Sequence, residues 1–252
     1  MSFSTFGESC DIAALAAARA QRWSPGRGAP AHSEIFASTR DACGAGLALA
    51  LARDGLRAVE RSSLDEAEDR RNILWVQDIS AIKACGRPYR HGLPRELRHR
   101  LIHVEAKSAE DALFALEEGL RCRDIAFIVG EILGNPRALD FTASRRLSLA
   151  AERHGVPLWL VRLDARPDLS SARMRWQAGA APSLSPRWNA QAPGRPSWNA
   201  ELFRARNHAP GKWILHDDDD RLVTIGSIGD QPASTYPGDL ARATVGRSLA
   251  AL

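Results

Sequence analysis

Lysine is nearly missing from this chain. Only Lys83, Lys107 and Lys212 stand among its 34 basic residues, the other 31 being arginine, and 30 acidic residues bring the formal net charge down to +4. A small positive excess spread over a surface gives a weak general field, which permits nucleic-acid contact without requiring it. The four cysteines, Cys10, Cys43, Cys85 and Cys122, are scattered and form no C-x-x-C pair. That excludes a written zinc ribbon or disulfide framework and predicts reduced thiols. No apolar run approaches the roughly 18 residues a spanning helix needs. The first 20 residues also lack the basic start and apolar stretch of a secretory signal. The expectation is a cytoplasmic chain without membrane contact.

Catalytic signatures are missing too. A nucleoside-triphosphatase loop reads G-x-x-x-x-G-K-[ST], in which the lysine reaches the β and γ phosphates and the hydroxyl binds magnesium. After the apolar segment Ile35-Phe36-Ala37 the chain reads Ser38-Thr-Arg-Asp-Ala-Cys-Gly-Ala-Gly46, without that pair. Gly44 and Gly46 then read as packing devices in an alanine-rich helix start. Gly211-Lys212 is followed by Trp213 and lies in a hairpin turn. Glu131 and Asp78, acids at the ends of apolar strands, have no metal–phosphate to hold, and Glu131 reads as a solvated loop carboxylate. There is no G-x-S-x-G elbow and no H-E-x-x-H. No catalytic residue, cofactor or metal site is expected, and His103 reads as a core histidine.

What is present is an alternation of strands and helices. Ile35–Ala37, Ile73–Val76, Leu101–Val104, Ile125–Val129 and Leu158–Val161 are short apolar runs of the kind strands covered on both faces show. Between them lie helical patterns over 41–53, 109–120 (capped by Ser108) and 142–154 (stopped by Gly155). Such an order predicts an α/β fold with a mostly parallel sheet and helices on both faces. Further strands near Met174–Trp176, Trp198–Arg206 and Trp213–His216, the last two joined by an Asn207–Gly211 turn, predict antiparallel strands added at one edge. A helix over 9–23 and a Ser24–Gly28 linker precede the core. The expected divisions are 1–31 as helix and linker, 32–216 as core, and 217–252 as a mobile or partner-bound tail containing the apolar run Leu222–Ile225 and a helix from Asp239 to Leu252.

Trp75 and Trp159 lie inside apolar strands and read as core. Trp176, Trp188 and Trp198 each have an arginine nearby (Arg175, Arg187 and Arg195), with Arg173 close by. Arginine beside an aromatic ring suits stacking on bases or docking on a protein, and it equally suits sheet-edge packing under snorkelling arginines. These residues are the candidate contacts. A second basic concentration runs from Arg87 through Tyr89, Arg90, His91, Arg95, Arg98 and His99 to Arg100, as a partner patch or a solvated face.

Two longer segments carry a resemblance. Leu101-Ile-His-Val-Glu-Ala-Lys-Ser-Ala-Glu-Asp-Ala-Leu113 to Asp124-Ile-Ala-Phe-Ile-Val-Gly-Glu-Ile132 resembles the strand–helix–strand heart of RecA recombinases. Ser33-Glu-Ile-Phe-Ala37 and Leu47-Ala-Leu-Ala-Leu51 resemble the flanks of their phosphate loop. With Ile73–Asp78, Gly86–Tyr89, Gly92-Leu93, Arg173–Trp176, Ala180–Ser183 and Ala192–Pro196, the span from about His32 to His216 is similar to the ImuA family. That resemblance implies a degenerate RecA-like core and a noncatalytic, damage-inducible accessory role in SOS-induced translesion synthesis and mutagenesis. Its implied partners are an ImuB-type Y-family polymerase homologue and an error-prone C-family DNA polymerase, with RecA and single-stranded DNA as further candidates and a nucleoid-associated location. The alternatives are a SulA-like cell-division inhibitor and a divergent P-loop ATPase. In RecA-like folds the loops after the third and fourth parallel strands touch DNA, which here means Glu131–Ala143 and Asp164–Ala172.

Overall fold

The computed structural model describes residues 22–41, 43–62, 69–186, 189, 192, 194–218 and 221–225. Nine strands form one sheet in the order β3-β2-β4-β5-β1-β6-β7-β8-β9. They are β1 (His32–Ala37), β2 (Asn72–Asp78), β3 (Leu101–Ala106), β4 (Ile125–Leu133), β5 (Leu158–Leu163), β6 (Met174–Ala180), β7 (Ser197–Ala205), β8 (Gly211–Asp218) and β9 (Arg221–Thr224). Every pairing from β3 across to β6 is parallel, and those from β6 to β9 are antiparallel. The expected mostly parallel α/β sheet with antiparallel strands at one edge is therefore present.

Helices α1 (Cys43–Ser62), α2 (Ile79–Cys85), α3 (Ala109–Leu120) and α4 (Phe141–His154) connect the parallel strands. α1 packs in one apolar core with Trp75, Trp159, Trp176 and Trp198, while α3 and α4 pack in a second around Leu116, Ile128, Leu147 and Leu160. Local chemistry sets the helix ends. Ser108 accepts a hydrogen bond from Asp111 N (3.1 Å), Asp140 from Ala143 N (2.7 Å), and Gly155 takes the left-handed conformation (φ 68°) that closes α4.

Several expectations give way. α1 continues beyond residue 53, because Gly55 does not stop it. A Cβ there would come within 2.6 Å of Ala29 Cβ, so the glycine lets the incoming linker cross the helix. Asp54 fixes the same linker by accepting from Gly26 N at 2.6 Å. β3 is an edge strand rather than a doubly covered one, with Ile102 42% exposed. The sheet also runs past residue 216: Asp217 and Asp218 pair with Leu222 and Arg221, and Leu222 is buried. The expected helix over 9–23, apart from its last two residues, and the segment 226–252 lie outside the described residues. No helix among the described residues is long and apolar enough to cross a membrane.

Candidate functional site

Open α/β sheets bind ligands beyond the carboxyl ends of their parallel strands, where loops and helix starts converge. At that end the loop after β1 is closed on the chain itself. Thr39 N and Thr39 Oγ1 both donate to the Asp164 carboxylate, at 3.1 and 2.6 Å. Asp164 follows β5 and holds a left-handed backbone (φ 49°), a conformation in which aspartate is among the better tolerated residues. The Thr39 bonds hold its carboxyl below the usual range. Both Thr39 donors are thus taken by a carboxylate, which also repels an incoming phosphate. Gly44 opens α1 against the sheet: a Cβ there would lie 2.6 Å from Ala37 Cβ and 2.8 Å from Val161 Cγ1. The glycine serves close packing, as the sequence suggests.

Glu131 departs from its expected role as a solvated loop carboxylate. It sits inside β4, 3% exposed, where Trp75 Nε1 (2.6 Å) and Gln77 Nε2 (3.2 Å) both donate to Oε1. Burial pushes its carboxyl up to about 7 against the pull of those two bonds. Gln77 also donates to Gly86 O (3.0 Å) and joins His103 Nε2 (2.9 Å), so His103 is a half-buried member of a polar string across β4, β2 and β3. Asp78 is spent on structure, with Oδ1 accepting from Ala81 N (2.6 Å) to cap α2 and Oδ2 accepting from Leu133 N (3.2 Å).

The contact residues expected from sequence separate by burial. Trp176 is fully buried and packs edge-on against Trp23, with ring centroids 4.9 Å apart, and Trp198 is buried beside Gly46. Neither offers a stacking face, because both complete the core around α1. Arg175 is buried as well. Its Nε donates to Glu34 Oε2 at 2.7 Å and its guanidinium lies 5.0 Å over the Phe36 ring. Arg162, fully buried, reaches Glu34 at 3.6 Å. This Glu34–Arg162–Arg175 seam was missed by pattern reading, although Glu34 and Arg162 interrupt apolar strands with opposite charges. Arg173 reaches the surface paired with Glu152, and Arg195 is exposed. Arg187 and Trp188 lie outside the described residues.

The basic segment 87–100 folds as two 3-10 turns pinned by buried Leu93 and Leu97. Between it, α1 and the start of β7 lies a groove of about 1080 Å³. Leu49, Ala50, Leu56, Leu93, Leu97 and Trp198 give it an apolar floor, and its rim mixes Arg53, Arg57, Arg70, Arg95, Arg98 and Arg100 with Glu60, Asp69, Glu96 and Asp217. Arg53 bridges Glu96 (3.0 Å) and Asp217 (3.1 Å) across it. Arg70 and Arg95 are exposed and their side chains have no ion pair or hydrogen bond among the described residues.

No protein-family model matches the chain. ImuA proteins from two strains of Caulobacter vibrioides, NA1000 and ATCC 19089, are each 37% identical to it over 126 residues, which is 46% of this chain and 50% of theirs. Over that 46% of its length the chain is similar to ImuA. It spans about half the length of the curated relatives it matches. The likeness to ImuA agrees with the family resemblance carried by the strand–helix–strand segments.

Proposed function

We propose that the chain is a noncatalytic accessory protein of damage-induced translesion synthesis, bridging an ImuB-type Y-family polymerase homologue and an error-prone C-family DNA polymerase in the cytoplasm. One observation carries this reading: on a chain homologous to ImuA, the loop that follows β1 closes on Asp164 and holds no lysine to grip a triphosphate. A sheet end occupied by its own side chains suits a scaffold better than an engine. The groove beside α1 suits docking, since an apolar floor with Arg70 and Arg95 exposed at its mixed-charge rim matches an acidic segment that carries apolar anchors.

Co-purification tests the reading. The full chain, mixed with the two polymerases encoded in the same genome, should retain both. Arg70→Glu combined with Arg95→Glu should release one of them while leaving the thermal melt unchanged. Retention of neither polymerase by the unaltered chain defeats the proposal. Calorimetric titration with millimolar ATP should give no binding heat, and phosphate release by the purified chain would restore the ATPase alternative. Cells overproducing the chain should keep dividing, whereas filamentation would favour the division-inhibitor reading.

A further inference from the structure

On the face of the sheet opposite α1, helices α3 and α4 lie side by side, joined by the Glu117–Arg146 ion pair at 2.7 Å. Each leads from one parallel strand back to the start of the next, so the two run in the same direction. Midway along, each turns a large apolar side chain outward: Phe114 is 66% exposed on α3 and Leu149 is 53% exposed on α4. Exposed apolar residues scattered singly need no explanation. The surroundings of these two are what sets them apart. On a helix, the positions four before, three before and four after a residue are its surface neighbours. Around Phe114 these are Glu110, Asp111 and Glu118; around Leu149 they are Arg145, Arg146 and Arg153, and all six are exposed. One ring is acidic and the other basic, at identical spacing.

Within the chain Arg146 is taken by Glu117 and Glu118 by Arg121. The side chains of Glu110, Asp111, Arg145 and Arg153 have no ion pair or hydrogen bond among the described residues. Two acids and two arginines are left to be matched from outside. A partner of one sign matches one ring and is repelled by the other. A second copy of the chain matches both. A two-fold axis that exchanges the helices sets α3 of each copy over α4 of the other, so that each acidic ring faces a basic one and the contact occurs twice.

We infer that the chain pairs with a second copy of itself through the outer face of α3 and α4, as a closed two-fold dimer centred on Phe114 and Leu149. The inference goes beyond the accessory role and does not depend on it. Sedimentation velocity of the full chain between about 1 and 100 µM tests it, a range in which interfaces of modest size associate. The sedimentation coefficient should rise from the monomer to the dimer value and go no higher, because an isologous contact closes. Phe114→Ala should weaken the dimer by at least roughly 30-fold, as loss of a central aromatic anchor does. Glu110→Arg with Asp111→Arg should be monomeric, and so should Arg145→Glu with Arg153→Glu. An equimolar mixture of those two double variants should dimerise again, since the two reversed rings then face each other and so do the two unaltered ones. That rescue separates a lost interface from a lost fold. A monomer at every concentration overturns the proposal, as do assemblies larger than a dimer, a dimer that survives either double variant, or a mixture that stays monomeric.

Discussion

Replacing Glu131 with glutamine should stabilise the protein, and should do so only above acidic pH. In the folded chain burial raises this carboxyl to about 7 from an ordinary 4.5. A carboxyl raised by folding takes up a proton when the chain folds. Its stability is therefore complete below about pH 4.5 and lost as pH rises towards 7, after which the loss is constant. About 2.5 pH units at 1.36 kcal/mol each gives a penalty of about 3 kcal/mol on the alkaline plateau. Glutamine keeps an oxygen where Trp75 Nε1 and Gln77 Nε2 donate, and it cannot ionise. For a chain of this size roughly 2–4 °C of melting temperature accompanies each kcal/mol. The variant should therefore melt about 6–12 °C above the parent at pH 8 and within a few degrees of it at pH 5, read by circular dichroism. The buried His32, whose ring is pushed down to about 4, titrates alike in both proteins and cancels from the difference. An equal difference at both pH values, or a parent that gains stability over the variant as pH rises, would refute the burial argument.

Other perturbations follow from the packing. Gly44→Ala forces a methyl to within 2.6 Å of Ala37 Cβ and should cost about 1–3 kcal/mol in urea denaturation. Trp176→Ala removes a fully buried indole and should cost about 3–5 kcal/mol, a loss of stability rather than a selective loss of partner binding. Arg175→Met removes the nearer guanidinium from the buried Glu34 carboxylate, which keeps only Arg162 at 3.6 Å and the Ser170 hydroxyl, and should cost up to about 3–5 kcal/mol in the same denaturation series.

The parallel half of the fold was legible because its signals are local. Apolar strands, the Ser108 cap and the Gly155 stop each act within a few residues. Where the sequence misled, a distant partner decided the outcome. The helix expected to end at residue 53 runs on through Gly55, where Ala29, 26 residues earlier in the chain, lies against it. Glu131 looks like a loop acid until Trp75 and Gln77 supply its donors from a neighbouring strand. Trp176 and Trp198 sit beside arginines in sequence, yet strand alternation and the tryptophan cluster turn both rings inward.

The position of β1 between β5 and β6 has a consequence for biosynthesis. His32 meets Leu158 on one side and Ser33 meets Met174 on the other, so the central strand is made 126 residues before its first neighbour. At ordinary elongation rates of about 5–20 residues per second, that strand waits roughly 6–25 seconds with both edges open. Newly made chains therefore carry two open strand edges prone to aberrant pairing during translation, and slower synthesis downstream of β4 lengthens the exposure.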